Sequence, residues 1–207
     1  MAVSDGRTTT TGRVRMDPAS RREQLLDIGL RLLETRPLEE LSIELLADQA
    51  GISRGLLYHY FGNKQDFHLA VVRRAADEVI ALTAPRDIPD PLEQLVASVG
   101  AYVDYVVDHL DGYVSLVRAA AAGNQSLRAV YDDARSALID RIFEATDPER
   151  LADLGVHDTP AVRLLARSWG ALVEDSVIAW AHDRAGLSRE DLLDRLVGAL
   201  VSMVVDL

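Results

Sequence analysis

The stretch that decides the fold lies at residues 41–67 and runs LSIELLADQAGISRGLLYHYFGNKQDF. Ser42 is placed to cap a first short helix, because a serine hydroxyl accepts a hydrogen bond from the free backbone N–H groups of a first turn. Gly51 follows that helix and can take the left-handed conformation that ends it. Ser53 can cap a second short helix that runs to Phe61. Two short helices joined by a glycine-containing turn form the helix-turn-helix pattern, whose second helix can enter the DNA major groove.

The residue identities in this stretch closely resemble the DNA-binding signature of the TetR family of bacterial transcriptional repressors. The positions that carry the resemblance are LA at 46–47, AGISRG at 50–55, LYHYF at 57–61 and NKQDF at 63–67. The resemblance implies an all-α protein with an N-terminal three-helix helix-turn-helix DNA-binding domain. It further implies a C-terminal helical domain that binds a ligand and forms the dimer.

The same resemblance implies which residues face DNA. They are the starts of both short helices and nearby Tyr, His and Lys positions, here Ser42, Ser53, Arg54, Gly55, Tyr58, His59 and Lys64. By residue type, Arg54 can donate a bidentate pair to a guanine edge or reach a phosphate. Gly55 lets the backbone approach closely. For Tyr58 and His59, packing within the protein is the alternative interpretation.

Other positions in the stretch are predicted to pack, and two depart from the family's pattern. Leu57 and Phe61 are four residues apart and share one helix face, which predicts that both lie in the core. Pro37 stands where the family often has glycine, and proline cannot adopt positive φ, so the first helix must end by another route. Leu56 stands where a small hydroxyl residue is common and can contact a thymine methyl group but cannot donate a hydrogen bond.

Composition predicts helices throughout. Apolar residues make up 48% of the 207 residues but aromatic residues only 5%, a balance that favours packed helices over aromatic-rich strands. All seven prolines fall outside the stretches with helical periodicity. The chain has no cysteine, which excludes disulfide scaffolds, thiolate zinc sites and cysteine nucleophiles.

The sequence predicts neither an enzyme nor a cofactor. It contains no HExxH, no glycine-rich phosphate loop and no nucleophile elbow, although His109 has Asp108 and Asp111 close by. The longest charge-free stretches, 94–103 and 196–205, have ten residues each, whereas a membrane-spanning helix needs about 17–25. The first residues also contain no apolar leader segment, so we expect a cytoplasmic protein with no membrane partner.

Charge is unevenly distributed along the chain. The net charge of −11 taken alone argues against nucleic acid, but residues 1–84 hold 11 basic and 12 acidic side chains, so the acidity belongs to the remainder. Residues 1–22 carry five arginines against two aspartates. We expect a disordered basic arm at 1–17 that either follows a DNA groove or is an inert tail. Arg21 and Arg22, at the start of the first helix, are stronger candidates for phosphate contact.

Three prolines, Pro85, Pro89 and Pro91, predict a boundary between a DNA-binding domain at 18–84 and an effector-binding and dimerisation domain at 92–207. Helices are predicted at 18–35 and then at 92–108, 110–121, 125–145, 160–183 and 188–206. The last helix has two apolar stripes, more than one contact within the chain needs. A homodimer through the last two helices follows, and its two-fold symmetry predicts a pseudo-palindromic operator.

A small-molecule effector is expected among the middle helices. The candidate ligand-binding residues are Tyr102, Tyr105, Tyr113, Arg118, Asn124, Trp169 and Glu174, with Arg167, Trp180 and His182 as further candidates. Core packing is the alternative for the aromatic residues, and a dimer salt bridge is the alternative for Arg167 with Glu174. The predicted function is a ligand-responsive repressor of transcription. The alternatives are an activator or a helical protein-binding adaptor with the same fold.

Overall fold

The computed structural model describes residues 17–207 and confirms the all-α prediction, since that range holds ten α-helices, one short 3-10 helix and no strand. The N-terminal helices are α1 (Pro18–Leu33), the 3-10 helix (Leu38–Glu40), α2 (Ile43–Ala50), α3 (Arg54–Phe61) and α4 (Lys64–Leu82). The C-terminal helices are α5 (Pro91–Asp108), α6 (Leu110–Ala121), α7 (Gln125–Glu144), α8 (Pro148–Asp153), α9 (Pro160–His182) and α10 (Arg189–Val204).

Polar caps set where the N-terminal helices begin. The Asp17 carboxylate accepts hydrogen bonds from the backbone N–H groups of Ala19 and Ser20 and so caps α1. Asp17 is the last residue of the arm predicted at 1–17, and the rest of that arm lies outside the described residues. Asn63 caps α4 in the same way. Helix α1 ends at Leu33 instead of at residue 35, and Pro37 opens the 3-10 helix.

The N-terminal helices share one hydrophobic core. Its fully buried members include Leu25, Leu46, Leu57 and Phe67. Phe61 is 4% exposed, which together with Leu57 confirms the prediction that this face of α3 packs inward.

The C-terminal core differs from expectation in two respects. Helix α8 is additional to the five helices predicted there, because a six-residue segment is too short to show a helical period. In α10 one apolar stripe is buried within the chain and the other is buried at Leu192 and Leu196 and half-buried at Ala199 and Met203, against α5 and α9. The outward faces that remain available to a second copy include Leu164 and Leu172 of α9, which are 65% and 44% exposed, and Gly198 of α10, beside which the structure leaves open space.

Candidate DNA-binding surface and ligand cavity

The turn between α2 and α3 has the geometry of a helix-turn-helix. Gly51 has a φ of 64°, and its N–H donates to the carbonyls of Ala47 and Asp48, which closes α2. Ser53 opens α3 two residues later. Because Leu57 and Phe61 face the core, the rest of the helix is turned to solvent, and its exposed residues are Ser53, Arg54, Gly55, Leu56, Tyr58 and His59.

The two capping serines keep a proton available. The Ser42 Oγ accepts from the N–H of Leu45 at 3.0 Å, and the Ser53 Oγ accepts from the N–H of Leu56 at 3.3 Å. A hydroxyl that accepts in this way can still donate its own proton, for example to a phosphate oxygen. A Cβ added at Gly55 would meet nothing within 4 Å, so the protein itself does not require a glycine there.

Arg54 has a partner that the sequence analysis missed. Its guanidinium lies 3.7 Å from the Glu44 carboxylate of α2, with the two side chains 68% and 46% exposed. Such an exposed pair contributes roughly 0–1 kcal/mol. Arg54 is therefore held near the surface but is easily released to a base or phosphate.

The remaining cationic candidates lie around the same two helices. The Lys64 Nζ donates to the carbonyl of Glu39 at 2.7 Å, which leaves two of its three protons free. The Arg22 guanidinium lies over the Phe61 ring, 5.4 Å from its centroid, and so places the start of α1 beside the end of α3. Arg21 donates to the Gln24 side chain at 2.7 Å.

A cavity of about 130 Å³ lies between α4, α5, α6, α7 and α9. This is space on the order of ten water-sized spheres, enough for a small organic molecule. Most of the lining is aliphatic, with Val79, Leu138 and Val173 among its members. Four of the six tyrosines and one of the two tryptophans also line it, namely Tyr102, Tyr105, Tyr113, Tyr131 and Trp169.

A hydrogen-bond network occupies one end of this cavity. Glu174 is 8% exposed and accepts hydrogen bonds from the hydroxyls of Tyr113, at 2.7 Å, and Tyr131. Because Tyr113 gives its only hydroxyl proton to Glu174, the Tyr102 hydroxyl must be the donor in the 2.8 Å bond between the two tyrosines. The Arg135 guanidinium lies 3.6 Å from Glu174, as an ion pair without a hydrogen bond.

Burial keeps these phenols protonated. It raises the pKa of Tyr113 and of Tyr131 above the usual range of a phenol. Burial and the Glu174 carboxylate together raise the pKa of Tyr102. At neutral pH each phenol is therefore a donor with a single proton, and all three protons are used inside the network.

The other end of the cavity lies where α4 stops. Arg141 of α7 donates to the carbonyl of Ile80 and, at 2.9 Å, to the hydroxyl of Thr83. The cation thus satisfies groups at the C-terminus of α4, where positive charge is favoured. This contact joins α7 to the helix that begins in the DNA-binding domain.

The structure separates the predicted ligand-binding residues into two groups. Tyr102, Tyr105, Tyr113, Trp169 and Glu174 line the cavity. Arg118 is exposed on α6, and Asn124 caps α7 through hydrogen bonds to the N–H groups of Ser126 and Leu127. Neither contributes to the lining.

The three further candidates also lie elsewhere. The Trp180 indole donates to the carbonyl of Leu187, and His182 is exposed. Arg167 binds Asp140 at 3.0 Å on the surface, while Glu174 is buried in the cavity, so these two do not form the predicted pair. Tyr131 and Arg135 were missed, although residues 131, 135, 138 and 142 follow one another at spacings of four, three and four, which mark one face of α7.

Helix α6 connects the cavity with the DNA-binding domain. Tyr113 faces the cavity, whereas the Ser115 hydroxyl accepts a buried hydrogen bond from the N–H of Leu38 at 2.7 Å. At Gly112 the approach is so close that an added Cβ would lie 2.7 Å from the carbonyl oxygen of Leu33. A shift of α6 would therefore displace the end of α1 and the 3-10 helix.

Within residues 17–207, no group of three or more His, Asp or Glu side chains is placed to hold a metal ion. None of the helices in that range combines the length and apolar character that crossing a membrane requires.

Comparison with known families gives matches over both parts of the chain. Residues 25–71 match the family described as bacterial regulatory proteins, tetR family. Residues 91–203 match the tetracyclin repressor-like C-terminal domain.

Individual relatives agree with these matches. A tetR-family transcriptional regulator from Streptomyces coelicolor superimposes with a TM-score of 0.74 at 32% identity, over 91% of this chain and 82% of that one. The HTH-type transcriptional activator FasR of Mycolicibacterium smegmatis is 25% identical over 185 residues, which are 88% of this chain and 82% of FasR. The regulator FadR of Bacillus subtilis, solved with stearoyl-CoA, shares the fold with a TM-score of 0.67 at 16% identity, over 88% of this chain and 98% of FadR.

Proposed function

This chain belongs to the TetR family of helix-turn-helix transcriptional regulators, which are not enzymes, and on that premise we propose that it is a ligand-responsive repressor. It binds a pseudo-palindromic DNA operator as a homodimer and leaves it when a small molecule enters the cavity. The observation that carries the proposal is the outward face of α3, where six residues from Ser53 to His59 are exposed above a buried Leu57.

The chemistry of that face suits a DNA duplex. Arg54 and Gly55 open the recognition helix, where a side chain or backbone reaches base edges first. Ser42, Tyr58, His59 and Lys64 offer donors to phosphate oxygens beside it. Arg21 and Arg22 extend the cationic surface along the start of α1.

Two-fold symmetry follows from the outward faces of the last two helices. Leu164 and Leu172 lie two turns apart on α9 with Ser168 between them, on one stripe that the chain itself leaves uncovered. Small residues on α10, such as Gly198 and Ser202, allow a second helix to come close. A four-helix bundle of α9 and α10 from two copies buries these faces and sets two recognition helices at a fixed separation.

Effector release requires that the ligand bind one dimer geometry better than the other, with a coupling of typically 1–3 kcal/mol. Helix α6 provides a route, because Tyr113 contacts the cavity network while Ser115 holds Leu38. The neighbouring Glu39 carbonyl in turn accepts from Lys64. Movement of α6 is therefore transmitted to residues beside the recognition helix.

An activator is the alternative that a relative favours, since FasR is named an activator. A protein-binding adaptor is the second alternative, and it needs the exposed Arg54, His59 and Lys64 to have no DNA partner. An activator and an adaptor differ in whether they bind DNA, whereas a repressor and an activator differ only in the sign of the transcriptional effect.

A mobility-shift titration on the DNA next to the protein's own gene tests the proposal. Specific binding with a steep salt dependence is expected, and Lys64→Ala should weaken all sequences alike and reduce the salt slope by about one. Lys64→Arg, which keeps the charge, should retain the slope. Weak binding without sequence preference would favour the adaptor, and a loss of transcription from the adjacent gene on deletion of the protein would favour the activator.

A further inference from the structure

We propose that the cavity takes a lipophilic organic cation, with an ammonium group against Glu174 and the tyrosine hydroxyls and an apolar body along α7. Only the role of this cation as the effector rests on the proposed function. The cavity chemistry itself is argued from the lining residues.

The network end of the cavity offers acceptors and no free donor among its phenols. The proton of Tyr102 goes to Tyr113, and the protons of Tyr113 and Tyr131 go to Glu174. What remains is the lone pairs of the Tyr102 and Tyr131 oxygens and of the carboxylate. The phenols and the carboxylate can therefore satisfy a ligand group that donates hydrogen bonds, and they offer nothing to one that only accepts them.

The charge at this end also favours a cation. Glu174 is the one carboxylate among the residues of the described chain that line the cavity. Its cationic neighbour Arg135 is 3.6 Å away, makes no hydrogen bond to it, and has a side chain 35% exposed. An ammonium group placed closer than Arg135 takes over the pairing, and the guanidinium can turn to solvent.

Aromatic faces surround the same position. The rings of Tyr102 and Tyr113 are 6.1 Å apart and nearly perpendicular, and those of Tyr105 and Tyr113 are 6.5 Å apart at 80°. Tyr131 and Trp169 line the same cavity. Ring faces attract organic cations through their negative quadrupole.

The opposite end of the cavity holds Arg141, whose guanidinium is largely engaged by the protein. It already donates to Ile80 and Thr83, and its Nε is buried without a hydrogen-bond partner among the described residues. The lining between the two ends is aliphatic, from Val79, Leu138, Ile139 and Val173. The acidity of residues 85–207, with 11 basic and 21 acidic side chains, further raises the local concentration of cations.

Calorimetric titration with three probes tests the inference. The probes 4-phenylbutylammonium, 4-phenylbutanol and 4-phenylbutanoate share a phenyl-terminated alkyl chain and differ in the polar end group. The ammonium probe should bind at least tenfold more tightly than the alcohol, and the carboxylate most weakly. Glu174→Gln should abolish the preference for the ammonium probe and leave the affinity for the alcohol unchanged. Glu144→Gln, on the exposed end of α7, is the matched control and should keep the preference.

Tightest binding of the carboxylate, or a preference that survives Glu174→Gln, overturns the inference. If Glu174→Gln does not fold, Arg135→Met decides instead. Removing the competing guanidinium should strengthen ammonium binding severalfold, and unchanged or weaker binding contradicts the proposal. Operator binding is measured separately, so a protein that binds the ammonium probe without releasing DNA refutes the effector role alone, and a protein that binds no DNA refutes the proposed function alone.

Discussion

Arg54 stands at the first position of α3 and is two-thirds exposed, and among residues 17–207 its only ion-pair partner is Glu44. The pair fixes the direction of a long side chain at little cost, because two exposed charges attract each other weakly in water. Glu44 also repels phosphate, so an arginine that leaves it for DNA is directed towards a base edge. We therefore propose Arg54 as a specificity residue.

Arg54→Ala should therefore relax the preference at one base position and weaken specific binding by about 1–3 kcal/mol, which is the usual worth of one bidentate base contact. The check is fluorescence anisotropy on an operator and on its single-base variants. Arg73→Ala, an exposed arginine of α4, is the control and should leave the pattern of preference unchanged. Equal discrimination by Arg54→Ala and the unaltered protein would remove Arg54 from the base-contacting set.

His68 links stability to pH. Burial lowers its pKa, with Lys64 acting in the same direction, while the bond to the Leu41 carbonyl and the Glu39 carboxylate oppose the shift. The unfolded chain therefore binds a proton more readily than the folded chain, and stability is lost as the pH falls below about 6.5.

His68→Gln keeps a donor for the Leu41 carbonyl and has no titrating ring. Its free energy of unfolding should fall less between pH 7.5 and pH 5.5 than that of the unaltered protein. Urea denaturation at the two pH values measures the difference. If the free energy of unfolding fell equally in the two proteins, His68 would contribute nothing to the loss of stability at low pH.

We propose helix α6 as the element that links the cavity to the N-terminal helices. Tyr113 faces the cavity, and Gly112 and Ser115 contact the end of α1 and the 3-10 helix. One twelve-residue helix thus carries contacts with both parts of the molecule.

Ser115→Ala leaves the buried N–H of Leu38 without an acceptor and should destabilise the protein by about 1–3 kcal/mol. It should also lower the ligand-induced change in DNA affinity, because the contact that transmits the movement is lost. Ser126→Ala, at an exposed site on α7, serves as the comparison in urea denaturation. A Ser115→Ala protein as stable as Ser126→Ala would contradict the role of this bond.

The sequence predicts the N-terminal elements well because their limits are local. Capping serines and a glycine with positive φ specify α2 and α3 through atoms a few residues away. Contacts between helices distant in sequence were not predictable in the same way. The pairing of Glu44 with Arg54 and the position of Tyr131 beside Glu174 depend on how helices pack.

The burial of most of the apolar surface of α10 within the chain shows the same limit. Periodicity identifies which residues are apolar, but it does not say whether another part of the chain covers them, and here α5 and α9 do. Arg118 and Asn124 were predicted from residue type alone, and the rotation of α6 and the start of α7 place them outside the cavity.

At the scale of the whole molecule, charge restricts how the protein can approach DNA. The C-terminal part holds most of the acidic excess, so phosphate repels it. The face that carries Arg22, Arg54 and Lys64 is the cationic approach that remains. In the proposed dimer two such faces act together, since a dimer places its recognition helices on half-sites one helical turn apart or a multiple of it.

Leu164→Asp combined with Leu172→Asp should dissociate the dimer, since charged side chains would replace the exposed leucines of α9. Light scattering after gel filtration should give the monomer mass of about 22.7 kDa, and operator affinity should fall by at least tenfold. Leu82→Asp, at a leucine of α4 that is 55% exposed, is the control and should remain dimeric. A double variant that stays dimeric would place the interface elsewhere.

The most direct test of the account is the affinity of the unaltered dimer for an operator selected from a random duplex pool, compared with a scrambled duplex, over a series of salt concentrations. We expect the selected site to be a pseudo-palindrome bound about 1,000-fold more tightly than the scrambled duplex, with affinity falling steeply as salt rises. Equal affinity for the two duplexes at every salt concentration would contradict the claim that α3 reads DNA.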